Sequence, residues 1–337
     1  MHFIKLIRPL NLLVIWFTMY SCRWFVLWFP ELMSGNKYSV LHENERIYFA
    51  LLTFSVVLIA AAGNIINDYF DVKADRINKP NRLIVGKFIK PRWAIVSHVL
   101  FNVVALAIGA YLSIVLHSVW YVLCHLITIN CLWFYSSYYK RKPLFGNLIV
   151  ALLTAIVPLL TAYYMYNHYG NISDYSNARL YALFEMDGTI KTSFHFWYFE
   201  LHNKGIGLII LGFTAFFANL SREIIKDMED VEGDKLIHAY TLPMIFGVKG
   251  TKRIVTLLLA TLIAFYFLLL VMNSPQGIWH SLYIMLPVAM AIAGLVLAAL
   301  VLLKAITRSQ LKKSDFIIKI SFLLALLQPI YWYILFK

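Results

Sequence analysis

The amino-acid sequence predicts an all-α integral membrane protein with nine transmembrane helices. Three observations predict this class: 61% of the 337 residues are hydrophobic, only 14% are charged, and the apolar residues are gathered into long runs. An ordinary soluble domain has roughly 45–50% apolar and about 25% charged residues. Lipid is therefore the expected solvent for most of the chain, which we interpret as one transmembrane domain over residues 1–337.

The nine helices are predicted by nine apolar runs, because a bilayer core requires about 20 apolar residues per helix. The runs cover about 10–29, 47–67, 92–116, 118–138, 145–165, 205–225, 252–273, 280–304 and 316–336. Most connections between them are short. The exception is 166–204, a polar and aromatic segment that we expect to be an external insertion at the membrane interface, where Trp and Tyr accumulate.

The positions of the basic residues predict how the helices are oriented. Most of the 30 Lys and Arg residues lie in alternate connections, at 5–8, 73–92, 140–142, 222–253 and 304–313. Cytosolic loops of membrane proteins collect Lys and Arg, so we expect a cytosolic N-terminus and an external C-terminus in the cell (inner) membrane. The same rule explains the net charge of +13 without a nucleic-acid partner.

Two acidic motifs stand at the predicted cytosolic ends of the second and sixth helices. The first motif is Asn67, Asp68, Asp71 and Asp75, and the second is Asp227, Asp230 and Asp234. At about 100° per residue, each motif presents three carboxylates on one helical face. Their matching positions, four helices apart, predict two pseudo-repeated four-helix units around a central cavity, an arrangement related to the parallel repeats of some membrane proteins.

The motifs predict a magnesium site. Neighbouring carboxylates repel each other unless a cation lies between them, and Mg²⁺ prefers hard oxygen ligands and binds through a few carboxylates plus substrate phosphates. We therefore predict that the six aspartates of the two motifs bind Mg²⁺ and are catalytic. Two such clusters facing each other would hold a diphosphate through bridging metals.

Basic residues near the motifs predict the rest of an anion site. The substrate-binding candidates are Arg76, Arg82, Lys140, Lys142, Arg222 and Lys226. The planar fork of Arg matches phosphate oxygens, although the orientation of the helices is a rival explanation for each of these cations. Arg8, beside the further candidate Asn11, and Lys140 to Lys142 are predicted to be spare cations, beyond those that one diphosphate needs, and available to a second phosphate. The membrane would accommodate an isoprenoid tail and a lipid acceptor.

The same residues carry a family resemblance. Residues 61–82 resemble the first signature of the UbiA-type prenyltransferase superfamily, and residues 222–234, followed by Thr241-Leu-Pro243 and Gly247, resemble the second. Both motifs and the opening residues 7–12 are most similar to the geranylgeranylglycerol-phosphate geranylgeranyltransferases. The resemblance implies Mg²⁺-dependent transfer of a geranylgeranyl group from a polyprenyl diphosphate to a glycerol-phosphate lipid. It also implies that one metal is held by Asn67, Asp68, Asp71 and Asp75 and the other by Asp227, Asp230 and Asp234.

Departures from that branch leave the acceptor open. Leu83-Ile-Val-Gly86 replaces a proline and a Pro-Ser-Gly-like turn, His238 stands where glycine is common, and the 166–204 insertion is long. The closest alternative is therefore prenylation of an aromatic acceptor in quinone or haem biosynthesis. A cation-coupled secondary transporter is an alternative from another class, which is disfavoured because transporter sites lie near the bilayer midplane.

Overall fold

Within the residues that the structure describes, the chain is helical. The structure, a computed structural model, describes residues 2–34, 44–78, 80, 83–169, 206–236, 239–272 and 278–336. The helices are α1 His2–Ile7, α2 Pro9–Ser34, α3 Glu45–Phe70, α4 Val72–Asn78, α5 Pro91–Val115, α6 Trp120–Ser137, α7 Phe145–Tyr169, α8 Ile206–Leu236, α9 Leu242–Met272, α10 Ile278–Ile284, α11 Leu286–Lys304, α12 Arg308–Leu326 and α13 Gln328–Phe336.

Helices lie in each of the nine predicted apolar segments, and the all-α class is confirmed. Among the described residues, seven spans are long and apolar enough to cross a membrane: α3, α5, α7, α8, α9, α11 and the stretch from α12 into α13. Helices α2 and α6 lie where helices were predicted, but they are not among these seven spans. The count of nine crossings therefore stays a prediction.

Several helices extend beyond their apolar runs, because polar residues can continue a helix after the membrane-length stretch has ended. Helix α8 continues to Leu236 and so carries the whole second motif on one helix. Helix α12 begins at Arg308, where Thr307 and Gln310 form a capping box, which satisfies backbone N–H groups in the first helical turn. Helix α9 begins at Leu242 and is interrupted at Gly247, whose φ of 66° is left-handed.

The chain divides into two compact units. Unit 1 comprises residues 1–17, 42–153 and 219–255. Within it, α3 packs against α1, α5 and α6. A buried cluster of Leu6, Ile65, Val85 and Ala94 holds α1 and the 83–90 loop against the end of α3. The end of α3 is therefore fixed from several sides.

Unit 2 comprises residues 18–41, 154–218 and 256–337. Its helices α11 and α12 pack closely, because Gly294 leaves room for the side chain of Ser321. The hydroxyl of Ser314 donates to the carbonyl oxygen of Ala298 at 2.9 Å. The indole of Trp332 donates to the carbonyl oxygen of Ile284, also at 2.9 Å. Small residues and bonds to backbone carbonyls thus join the helices of this unit.

The predicted internal repeat is not resolved by this division. Each unit draws residues from both halves of the chain, so the two pseudo-repeated four-helix units stay a prediction, as does the description of the chain as a single domain. Most of the predicted 166–204 insertion lies outside the described residues. Helix α7 covers only its beginning, ending at Tyr169.

Candidate active site

The first acidic motif lies where α3 passes into α4. Asp71 stands between the two helices, keeps near-helical dihedral angles, and donates its backbone N–H to the carbonyl oxygen of Asn67 at 3.0 Å. The amide of Asn67 donates to Oδ2 of Asp71 at 2.8 Å. The backbone N–H of Asp75 donates to the carbonyl oxygen of Asp71 at 2.8 Å. The motif therefore follows an almost continuous helical backbone, on which Asn67 and Asp71 share one face.

Arg8 pairs with Asp68. Arg8 lies between α1 and α2 with a left-handed φ of 55°, which is uncommon for a residue other than glycine. The amide of Asn64 donates to the preceding carbonyl oxygen, that of Ile7, at 3.0 Å. Burial opposes the charge of the guanidinium, but the nearby carboxylates, Asp68 first and then Asp71 and Glu223, together raise the pKa of Arg8 above its usual value. Arg8 is thus a partner of the first motif in this structure, and its availability to a second phosphate stays a prediction.

Lys140 pairs with Asp71 from the turn Tyr139–Arg141, and its ammonium nitrogen also lies 3.4 Å from Oδ1 of Asn67. Burial opposes its charge, but Asp71 raises the pKa of Lys140 above the ordinary value of a lysine. Gly146 permits the backbone of this turn to lie close to the start of α7, since a Cβ at position 146 would stand 2.9 Å from Cα of Lys140. Like Arg8, Lys140 pairs with the first motif, and its role in binding phosphate stays a prediction.

The second acidic motif lies along the last turns of α8. Oδ2 of Asp227 accepts a hydrogen bond of 2.8 Å from the amide of Asn147, a buried residue in the first turn of α7. One turn before Asp227, Glu223 pairs with Lys226. Asp234 is buried, and its carbonyl oxygen accepts the backbone N–H of Ala239 at 3.0 Å. This motif is therefore held in part by a neutral amide.

The two motifs meet through Asn78, the last residue of α4. Its amide donates to the carbonyl oxygen of Asp230 at 3.0 Å, and its Oδ1 accepts the backbone N–H of Gly233 at 3.0 Å. All of these residues belong to unit 1. The structure thus brings the ends of α4 and α8 together within one compact unit.

The other predicted substrate-binding residues are placed less centrally. Arg76, Lys142 and Asn11 are exposed, and Arg222 is half-buried. The ammonium of Lys142 lies 5.0 Å from the centroid of the Tyr138 ring, a distance at which a cation is attracted to an aromatic face. Arg82 lies outside the described residues.

Three residues in the neighbourhood of the motifs were not among the predicted site residues: Asn78, Asn147 and Glu223. Arg8 was predicted to bind phosphate and not to pair with Asp68. Two signals in the sequence point to the three missed residues. Asn147 is a lone amide at the start of an apolar helix. Asn78 and Glu223 follow or precede motif aspartates by three or four residues, a spacing that places residues on the same helical face. No comparable signal links Arg8 to Asp68, 60 positions away.

The residues present fit Mg²⁺. Across the described ranges, no three Asp, Glu, His or Cys side chains converge closely enough to hold a metal ion by themselves. Mg²⁺ does not require such a cage, because it binds through one or two carboxylates plus substrate phosphates. The donors here are carboxylate and amide oxygens, and the cations of Arg8 and Lys140 already balance Asp68 and Asp71.

The fold and the site define a class: a polytopic α-helical membrane protein with paired acidic and basic side chains where its helices end. The profile of the UbiA prenyltransferase family matches residues 24–326. The chain belongs to this family and is an integral membrane prenyltransferase, so the resemblance predicted from the motifs is confirmed.

Two relatives are informative. The chain is 30% identical over 271 residues to the digeranylgeranylglyceryl phosphate synthase of Methanosphaera stadtmanae, covering 78% of each chain. It is 30% identical over 282 residues to the enzyme of the same name from Methanothermobacter thermautotrophicus, covering 82% of each.

Solved structures share the fold. A digeranylgeranylglyceryl phosphate synthase structure matches with a TM-score of 0.59 at 22% identity, over 98% of this chain and 96% of that one. A UbiA homolog from Archaeoglobus fulgidus bound to GPP and Mg²⁺ matches with a TM-score of 0.52 at 15% identity, over 96% of this chain and 98% of that one.

Proposed function

We propose that the chain transfers a geranylgeranyl group from a polyprenyl diphosphate to geranylgeranylglycerol phosphate or a close glycerol-phosphate lipid, with Mg²⁺ as the cofactor. The relatives named digeranylgeranylglyceryl phosphate synthase support the donor and the acceptor. The solved UbiA homolog that binds GPP and Mg²⁺ supports the cofactor and the class of donor.

In this proposal, Asn67, Asp68, Asp71 and Asp75 supply the ligands of one magnesium ion, and Asp227, Asp230 and Asp234 supply those of the other. One or two carboxylates of each motif would bind the ion at a time, together with substrate phosphates. Bound magnesium would neutralise negative charge on the departing diphosphate. Arg8 and Lys140 would turn from Asp68 and Asp71 towards the phosphate oxygens. Lys142, Arg222, Lys226, Arg76, Arg82 and Asn11 are further candidates for binding the phosphates of donor and acceptor.

Carbon–oxygen bond cleavage releases the diphosphate and leaves positive charge on the allylic carbon, which the acceptor oxygen attacks. A hydroxyl oxygen is a weak nucleophile, so we propose that a motif aspartate accepts its proton as the new carbon–oxygen bond forms. Asn147 would keep Asp227 oriented through the 2.8 Å hydrogen bond. Fixed charges act strongly at a site that excludes water, which favours departure of the diphosphate.

The observation that carries the site proposal is the meeting of both acidic motifs in unit 1, with cations on Asp68 and Asp71. The acceptor is tested with purified enzyme, geranylgeranyl diphosphate and three acceptors in parallel: geranylgeranylglycerol phosphate, 4-hydroxybenzoate and dihydroxynaphthoate. We expect turnover of the glycerol lipid, none after chelation of Mg²⁺, and a larger effect of Lys142→Ala on substrate KM than on kcat.

Turnover of an aromatic acid without turnover of the glycerol lipid would refute the acceptor and support the quinone or haem alternative. Wild-type protein that transfers no prenyl group to any acceptor, while still folded and supplied with Mg²⁺, would refute the reaction itself.

The proposed orientation places the first motif in the cytosol and residues 166–204 outside. Single cysteines at positions 73 and 177, in a chain without its native cysteines, test this orientation in intact cells with a membrane-impermeant thiol reagent. Labelling of position 177 alone is expected. Labelling of position 73 alone would show that the protein has the opposite orientation in the membrane.

A further inference from the structure

Asn78 makes two hydrogen bonds to the backbone of α8. Its side chain is buried at the end of α4, its amide donates to the carbonyl oxygen of Asp230, and its Oδ1 accepts from the N–H of Gly233, each at 3.0 Å. The reversed amide would place an NH₂ group against an N–H and an oxygen against a carbonyl. The two backbone groups therefore fix the orientation of this side chain.

Gly233 makes this contact possible. A Cβ at position 233 would stand 2.2 Å from Nδ2 of Asn78 and 2.9 Å from the backbone oxygen of Ala74. The second distance involves backbone, which cannot move aside as a flexible side chain can. Helices α4 and α8 thus approach each other at a point where only glycine fits without a shift of one helix.

The contact lies between the two proposed metal-binding motifs. Asn78 follows Asp75 by three residues, and its partner Asp230 is a member of the second motif. Helix α4 has only seven residues, too few to be stable by itself, since isolated helices need about 12–15 residues even in favourable sequences. The position of the Asp75 end of the first motif therefore depends on what α4 packs against.

We propose that Asn78 is a positioning residue: by bonding to Asp230 and Gly233, it fixes the separation between the two acidic motifs. This inference rests on the proposed function in one respect, that both motifs serve one diphosphate. A displacement of about 1 Å in a reacting arrangement can lower a rate by about a hundredfold, so a fixed separation has a direct catalytic value.

The test compares Asn78→Ala with Ile77→Ala, a matched control on the neighbouring, exposed residue of α4. Hydrogen–deuterium exchange of the segments 72–78 and 229–236 is measured in the protein without substrate. Two lost hydrogen bonds are expected to accelerate exchange in both segments by about tenfold or more. The control is expected to stay within about twofold of the wild type.

The kinetic part of the test separates positioning from a loss of folded protein. Loss of folded protein lowers the apparent kcat alone. Altered separation of the motifs is expected to raise the donor KM and the Mg²⁺ concentration for half-maximal activity by about tenfold, with the acceptor KM within about twofold of wild type.

Two further variants protect the test against a failure of Asn78→Ala to fold. Asn78→Asp keeps the acceptor for Gly233 but turns an oxygen towards the carbonyl of Asp230. Gly233→Ala displaces Asn78 sterically. Both variants are expected to accelerate exchange and raise the donor KM, as Asn78→Ala does. Gly233→Ala combined with Asn78→Ala should show less than the sum of the two single effects, because both substitutions remove the same contact.

Exchange and donor KM at wild-type values in Asn78→Asp and Gly233→Ala would overturn the inference. If the wild type transfers no prenyl group, the proposed function fails, yet the exchange of 229–236 still decides whether Asn78 joins the helices.

Discussion

The two compact units differ in the kind of polar contact that their helices use. In unit 1, charged side chains bridge separate elements, as in Arg8 with Asp68 and Lys140 with Asp71. In unit 2, the corresponding contacts include a hydroxyl and an indole that donate to backbone carbonyls, at Ser314 and Trp332. Clusters of paired, partly buried charged groups are common at functional sites, whereas small residues and hydroxyls serve helix packing in membrane proteins.

This difference means that activity and stability should be separable by mutation. Changes to the charged contacts of unit 1 should mainly lower activity. Changes to the close helix contacts of unit 2 should mainly lower the midpoint of thermal unfolding, Tm, at nearly unchanged activity per folded molecule.

The largest expected effect comes from the acidic motifs. Asp71→Ala and Asp230→Ala should each lower prenyl transfer by about a hundredfold to a thousandfold, since each removes a proposed metal ligand. Radiolabelled prenyl transfer with saturating Mg²⁺ measures the loss. The matched control is Asp315→Ala in unit 2, which should stay within about twofold of the wild type. Near-normal activity of both motif variants would remove these aspartates from the mechanism.

Lys140→Met should have the next largest effect, with a donor KM raised by about tenfold to a hundredfold as a phosphate-binding cation is lost. It should also lower Tm by about 2–4 °C, because Asp71 loses its partner.

The direction of the pKa shift of Lys140 predicts how the difference in Tm between the wild type and Lys140→Met depends on pH. The folded pKa of Lys140 is raised, so its contribution to stability is fully present below the unfolded pKa of about 10.4 and is lost only as pH rises through the higher folded pKa. Thermal unfolding at several pH values between about 6 and 9 should therefore show a constant Tm difference. A difference that disappears within this range would contradict the ion pair.

Asn147→Leu should lower transfer by about tenfold, because the Asp227 carboxylate loses the amide that orients it. Asn130→Leu is the matched control, since the amide of Asn130 donates within its own helix, to the carbonyl oxygen of Leu126 at 2.8 Å. Initial rates at saturating substrates compare the two variants. Equal losses in both would mean that the effect is not specific to Asp227.

The smallest effect tests unit 2. A Cβ on Gly294 would stand 2.3 Å from Oγ of Ser321, so Gly294→Ala should destabilise the protein by about 1–2 kcal/mol, with activity per folded molecule preserved. Adding Ser321→Ala removes the obstructing hydroxyl and should recover part of the Tm. A fall in specific activity that matches the fall in Tm would show that the two units are not separable.

The boundaries of the helices show where sequence reasoning ends. Apolar length predicts a membrane helix well, because the bilayer imposes it. It does not report how far a helix continues into water, and the runs ending at 225 and beginning at 316 therefore missed the last turns of α8 and the first turns of α12. The capping signal of Thr307 and Gln310 was available in the sequence for the second case.

The sequence by itself determined the membrane class, the two acidic motifs and the family, because hydropathy and motif spacing are local properties of the chain. Only the tertiary structure decided that Arg8 and Lys140 neutralise Asp68 and Asp71, that Asn147 holds Asp227, and that Asn78 joins α4 to α8. These contacts join residues 60 to 152 positions apart. Helix packing decides which residues face each other, and a charged or amide residue in the sequence does not reveal which distant residue it will contact.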